Sequence, residues 1–238
     1  MKEKIDRILE EYVIRSWNAI ANGYVHLRTR PWKELLHVIR KYEGDLVLDL
    51  GCGSGRHIMD LSKRFREVIA LDISRRMIEW TKRRCIKYDI YAKVHTIVAD
   101  GRFPPFRYNC IDFVLSVAVI HNIPSREERI RLLENIKSIM KVKGSILITV
   151  WSRYQPRLLF KSILQFLFKR DRTLEFGDVL IPWRRREATY YRYYHLFSKR
   201  EIREHLTNVG FKIVELNVLG RKCVVIPRNY VVLAEKVC

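Results

Sequence analysis

Acidic residues are scarce in this chain. Its 238 residues hold 26 Asp and Glu against 46 Lys and Arg, a formal charge of +20. That imbalance says nothing of fold, but it favours polyanionic partners: RNA, DNA or an acidic membrane surface. Cysteines are few and scattered (Cys52, Cys85, Cys110, Cys223, Cys238), odd in number and without a C-x-x-C pair. Such spacing indicates neither a disulfide framework nor a zinc site, and no metal is expected. Long hydrophobic runs are missing too. The most apolar stretch, "LLFKSILQFLF" at 158–168, is too short and too interrupted to span a bilayer, so no membrane insertion is expected. The opening "MKEKIDRILEEYVIRSW" lacks the apolar core of a signal peptide, and the expected compartment is the cytosol. No internal repeat, low-complexity tract or linker interrupts the chain. It therefore reads as one domain, 1–238, with a helical extension over 1–44 and a basic, aromatic insertion at about 152–197.

Apolar residues make up 48% of the chain, enough for a real core. From residue 46, short β-branched runs alternate with helical patterns. "LVLDL" (46–50), "EVIALD" (67–72), "AKVHTIVAD" (92–100), "IDFVLSVAVI" (111–120) and "SILITVW" (145–151) read as buried parallel strands. The N-terminal segment reads as an amphipathic helix with Ile5, Ile8, Leu9, Tyr12 and Val13 on one face. Ser125 and Glu128 form a capping-box pattern ahead of a helix whose Ile130, Leu133 and Ile136 should face inward. Ser198 and Glu201 form another before a short helix near 198–208. "FKIVELNVL" (211–219) and "YVVLAEK" (230–236) should close as an antiparallel hairpin at the sheet edge. The expected fold is α/β: a doubly wound, Rossmann-like seven-stranded sheet ending in an antiparallel C-terminal hairpin. The insertion follows no regular pattern.

"VLDLGCGSGRH" carries the clearest chemistry. A strand ends at Asp49, and Gly51, Gly53 and Gly55 free the backbone to turn before a helix expected near Arg56. Asp72 ends the next strand, within reach of a ribose diol. A nicotinamide site would want glycine where Arg56 stands, and a loop that merely turns the chain would not need Asp72. "DLGCGSG" resembles the S-adenosylmethionine loop of class I methyltransferases. That resemblance implies S-adenosylmethionine as cofactor, with Asp49 organising its methionine end and Asp72 its ribose. It places Ala99–Asp100 beside the adenine, and adds Gly51, Cys52, Gly53, Gly55, Ile73, Gly101, Ser116 and Val117 to the cofactor-binding set.

Further stretches resemble the tRNA methyltransferases that esterify 5-carboxymethyluridine at the anticodon wobble position. These are "IANGYVHLRTRPW" (20–32), with Arg28 and Pro31–Trp32, then "PFRYNCIDFVLSVAVIHNI", "DVLIPW" and "RYYHLF". The chain departs from that pattern at Asn122, where a second histidine is usual, and at Ser54–Gly55–Arg56–His57. The resemblance implies tRNA as substrate, and a small zinc-binding activator protein paired with the third strand, itself an exposed edge if left bare. Arg28, Arg129 and Arg192 are candidates to hold the acceptor carboxylate or nearby phosphates. His121 and His195 are candidates to donate to the base or ester, although a lone histidine is more often structural. Trp151, Asp178, Tyr193 and Tyr194 complete the implied substrate set, and the cations of "SRYQPR" and "WRRRE" could position phosphates. Two other readings stay open. One is methylation of a lipid quinone or small-molecule hydroxyl, for which "LLFKSILQFLFKR" could lie on a membrane surface. The other is a non-enzymatic RNA-binding relic of the fold.

Overall fold

A computed structural model describes residues 2–168, 174–184, 188–219 and 228–237. Cys223, Cys238 and the Arg185–Glu187 part of "WRRRE" lie outside the described residues. The five buried runs become parallel strands β1 (Gly44–Leu50), β2 (Phe65–Asp72), β3 (Val94–Val98), β4 (Ile111–Val117) and β5 (Met140–Trp151). In chain order β6 (Asp178–Arg184) and β7 (Thr189–His195) come next, then β8 (Phe211–Leu219) and β9 (Asn229–Lys236). Seven of these form one sheet in the order β3-β2-β1-β4-β5-β9-β8, with β9 antiparallel between β5 and β8. Strand order reverses between β1 and β4, which pair in parallel at the centre. In doubly wound sheets ligands bind at that switch, outside the carboxyl ends of the strands.

Helices cover both faces. One core packs Leu48, Leu50, Val114, Ile146 and Ile148 against Leu132, Leu133 and Ile136 of α6 (Arg126–Ile139). The opposite core packs Val47, Val68 and Leu115 against Leu35 and Ile39 of α3 (Lys33–Ile39) and Ile78 of α5 (Arg75–Lys87). The expected inward face of α6 is shifted: Leu132, Leu133, Ile136 and Ile139 are buried and Ile130 only half so. Its cap is half a capping box. Ser125 Oγ accepts from Glu128 N–H, but the Glu128 carboxylate is drawn away by Arg102 and Arg131. At α8 (Lys199–Asn208) the box expected from Ser198 and Glu201 is complete.

The insertion is more regular than its sequence suggests. After α7 (Pro156–Phe168), β6 and β7 pair as a separate antiparallel ribbon in which Asp178 faces His195. Tyr193 and Tyr194 are both buried although they point to opposite sides of the strand. A ribbon buried on both faces shows no alternation of apolar and polar residues, so the period-two signal is lost. One side meets the N-terminal helices α1 (Lys2–Leu9) and α2 (Ser16–Leu27), which are joined by a π-helical turn at Glu10–Arg15. There Ile8, Leu9 and Val13 pack on Leu180 and Tyr193. The other side meets Trp151 and Leu158. Extension and ribbon together roof the switch point of the sheet.

Candidate active site

The loop leaving β1 lets the backbone pass where side chains could not. Gly51 has φ +64°, and a Cβ there would lie 2.3 Å from Val119 Cγ2. Gly53 has φ +57°, and a Cβ there would meet nothing within 4 Å. Its N–H donates to Asp72 Oδ2 at 2.8 Å, while Ser74 N–H donates to Oδ1, also at 2.8 Å. The Asp72 carboxylate is thus fixed with lone pairs to spare. The helix expected near Arg56 starts only at Ile58 and is a single turn (α4, Ile58–Ser62), since Gly55, at φ +70°, prolongs the loop through His57.

A cavity of about 970 Å³ opens over this loop. Asp49, Gly51, Cys52, Gly53, Asp72 and Ile73 line it, joined by Asp100, Gly101 and Val117. Of the expected cofactor residues, Gly55, Ala99 and Ser116 do not reach its wall. Asp49 is buried with Oδ2 lacking a hydrogen-bond partner. Burial pushes its pKa up to about 7, Arg56 pulls it down and Asp72 adds to the rise. Burial likewise lifts Asp72 to about 6 against the pull of its bonds from Ser74 and Gly53. Two carboxylates held at this cost in one cleft mark a functional site. The donor set fits S-adenosylmethionine: an orphaned carboxylate for the α-ammonium, a fixed carboxylate for the ribose diol, and apolar walls from Ile73, Val117 and Leu132 for the adenine.

A second cavity of about 830 Å³ adjoins the first, and both are lined by Trp17, Tyr24, Arg28, Arg56 and Ala118. It adds Trp32, His121, Trp151, Tyr194 and Arg228, and no carboxylate. Trp151 and Tyr194 stack with centroids 4.6 Å apart and planes 9° from parallel. The backbone N–H of Trp151 donates to His121 Nδ1 at 3.2 Å, which puts the ring proton on Nε2. Nε2 is buried and has no partner. Burial, then the neighbouring His195, pulls the His121 pKa down to about 3, so the ring is neutral. Ala118, on the shared wall, holds φ +63°, a strained conformation for a residue with a Cβ. Its N–H donates to Thr149 Oγ1 at 3.0 Å, and Asn122 Nδ2 donates back to its carbonyl at 2.9 Å.

Other expected site residues sit behind the wall rather than on it. His195 Nδ1 lies 2.6 Å from Asp178 Oδ1 and Nε2 2.6 Å from Glu201 Oε1, so neither ring nitrogen is free. Tyr193 Oη donates to the same Asp178 oxygen at 2.7 Å. Arg129 is fully buried, donating to Glu175 Oε2 at 2.5 Å and to the Ile123 carbonyl at 3.2 Å. Arg192 lies among the rings of Trp17, Trp183 and Tyr194 and donates to Tyr194 Oη at 2.9 Å. His195, Arg129, Asp178 and Tyr193 line neither cavity; the polar atoms of His195, Asp178 and Tyr193 are bonded to neighbours, while Arg129 keeps Nε without a partner. Of the polar candidates, Arg28 and His121 remain on the wall, with Trp151 and Tyr194. Sequence reasoning does not find Trp17, Tyr24, Arg56, His57 and Arg228 as wall residues. Only Arg56 and His57 carry a signal there, as departures from the familiar glycine loop.

Comparison with known proteins agrees with this geometry. Residues 47–144 match the family model described as "Methyltransferase domain". The matched segment runs from β1 into β5 and carries the glycine loop. The chain is 28% identical over 147 residues to a tRNA (carboxymethyluridine(34)-5-O)-methyltransferase of Saccharomyces cerevisiae, covering 61% of this chain and 50% of that one. It is 26% identical over 230 residues to the protein of the same name in Schizosaccharomyces pombe, covering 86% and 90%. The chain thus spans only half the length of the first of these relatives. Among solved structures, an S-adenosylmethionine-dependent methyltransferase of Methanosarcina mazei superposes with a TM-score of 0.70 at 22% identity, covering 87% of this chain and 98% of that one. A putative methyltransferase in complex with the Haloferax volcanii Trm112 activator gives 0.67 at 19%, covering 94% and 97%. The methyltransferase fold thus extends through β8 and β9, beyond the matched segment. Among the described residues no helix is long and apolar enough to cross a membrane.

Proposed function

We propose that this chain transfers the methyl group of S-adenosylmethionine to an ionised carboxylate, that of 5-carboxymethyluridine at the wobble position of tRNA. The carrying observation is the composition of the second cavity. It offers cations (Arg28, Arg56, Arg228) and stacked aromatic rings but no carboxylate, and its one histidine is neutral with its acceptor nitrogen already used. Such a pocket is poorly equipped to remove a proton from a hydroxyl or amine. A carboxylic acid, which ordinarily ionises near pH ~4, arrives deprotonated. S-adenosylmethionine held by Asp49 and Asp72 would supply an electrophilic methyl group to one of the acid's oxygens, with a neutral thioether as leaving group, so no proton would have to be moved. What this chain supplies is alignment and exclusion of water. Trp151 and Tyr194 offer faces to an extruded uracil, and Arg28 a planar fork for the carboxylate.

The names of the relatives support tRNA as the carrier, and the formal charge of +20 suits a polyanion. A small activator protein fits the same reading. β3 is an edge strand, with Val98 and nearby Phe103 exposed, and a partner strand would cover it. The rival lipid substrate has one observation in its favour, the exposed stripe Phe160, Leu164 and Leu167 on α7. It lacks the base that a hydroxyl acceptor requires. The deciding assay offers the protein, with and without an activator partner, labelled S-adenosylmethionine and three acceptors: tRNA bearing carboxymethyluridine, the same tRNA with the carboxylate amidated, and a lipid extract. Label only in the first, released by mild alkali as expected of an ester, is the expected result. Label only in lipid overturns the reading.

A further inference from the structure

His57 has no role in what precedes, yet its ring is among the least solvated polar groups of the molecule. It is 2% exposed, and both Nδ1 and Nε2 are buried without a partner. Buried polar groups are nearly always hydrogen-bonded, so a ring orphaned at both nitrogens asks what completes it. It lies on the wall of the glycine-loop cavity, as does Asp49, whose Oδ2 is orphaned too. Burial, reinforced by Arg56 and Arg84, lowers the His57 pKa to about 3. The ring therefore presents one N–H and one bare nitrogen. A zwitterionic α-amino acid is the matching ligand: its carboxylate accepts from the N–H, and its ammonium is satisfied by Asp49.

We propose that His57 recognises the amino-acid end of the cofactor, donating a ring N–H to the α-carboxylate while Asp49 accepts from the α-ammonium. This rests on the S-adenosylmethionine reading above. The pair would make affinity depend on the zwitterion rather than on the nucleoside. It would separate S-adenosylhomocysteine from 5′-methylthioadenosine, which has the same adenosine and sulfur but no amino-acid end.

Calorimetry with these two compounds tests it without any turnover. Wild-type protein is expected to bind both, S-adenosylhomocysteine more tightly. His57→Phe, which keeps the ring volume, should weaken S-adenosylhomocysteine at least tenfold, on the order of one hydrogen bond to a charged group, and change methylthioadenosine less than about twofold. Equal weakening of both, or of neither, overturns the role of His57. If wild type binds neither compound, it is the cofactor reading that fails instead. Should the variant fold poorly, ring-nitrogen NMR of the ¹⁵N-histidine wild-type protein takes its place. One of the seven histidines should shift with S-adenosylhomocysteine and not with methylthioadenosine; no such resonance would contradict the proposal.

Discussion

Asp49 shows at one residue how the site trades stability for binding. Burial raises its pKa from 3.8 to about 7, so in that interval the folded chain holds a proton that the unfolded chain has lost. Stability from this residue is present below about pH 4 and is lost as pH rises towards 7. Asp49→Asn should therefore stabilise the ligand-free protein at pH 8, by on the order of 2 kcal/mol, in a thermal melt. The same change should weaken S-adenosylhomocysteine, and wild-type affinity should rise as pH passes about 7, because an ammonium prefers the ionised acid. A melt in which Asp49→Asn is destabilised at pH 8 would count against an orphaned, costly carboxylate. His121 leads to the opposite kind of pH dependence. With its pKa pulled down to about 3 by burial and His195, it contributes no inflection to kcat near neutrality. His121→Gln, which keeps a donor, should lower kcat by roughly tenfold or less without changing the shape of the pH profile. A new or lost limb near pH ~6–7 would make it a base after all. Arg28→Ala should cost about 10- to 100-fold in kcat/KM for the nucleic-acid acceptor and change cofactor affinity by much less, since Arg28 lines both cavities.

Elements differ in how openly the sequence announces them. Strands β1, β2, β4 and β5 are largely buried on both faces, so their aliphatic runs are visible as runs, and the loop after β1 is marked by glycines that the turn requires. The ribbon β6–β7 is hidden, because Tyr193 and Tyr194 are buried on opposite sides and the alternation vanishes. The second cavity is only half visible for another reason. Trp17 on α2 and Arg28 at its end, His121, Trp151 and Arg228 come from four separate segments, and nothing local marks their convergence. The tertiary clamp misleads in the same way: His195 looks like a pocket residue in "RYYHLF" but ties β6 and β7 to α8 through Asp178 and Glu201. His195→Ala takes the shared partner from buried Asp178 and half-buried Glu201, which keeps Arg153, at a cost of about 3 kcal/mol. It should open the ribbon to limited proteolysis near residues 176–195 and lower the melting temperature. A variant as protease-resistant as wild type would return His195 to the acceptor site. Ser198→Ala, which removes the α8 cap, should cost only about 1 kcal/mol.

At the scale of the whole molecule, the excess of basic residues and the two adjoining cavities belong to one arrangement. In the proposed function, charge would gather the polyanion, the aromatic cavity would take a single extruded base, and the sheet's switch point would present the methyl donor beside it. Affinity for tRNA should fall steeply with added salt, whereas affinity for S-adenosylhomocysteine should hardly change. If the proposed activator pairs with the β3 edge, co-expression with a strand-donating partner should protect the β3 amides from hydrogen exchange. The most direct measurement is nucleoside mass spectrometry of tRNA bearing carboxymethyluridine after incubation with the protein and S-adenosylmethionine. The methyl ester of 5-carboxymethyluridine should appear as the free acid declines. Methylation of any other nucleoside, with the carboxymethyluridine untouched, would contradict it.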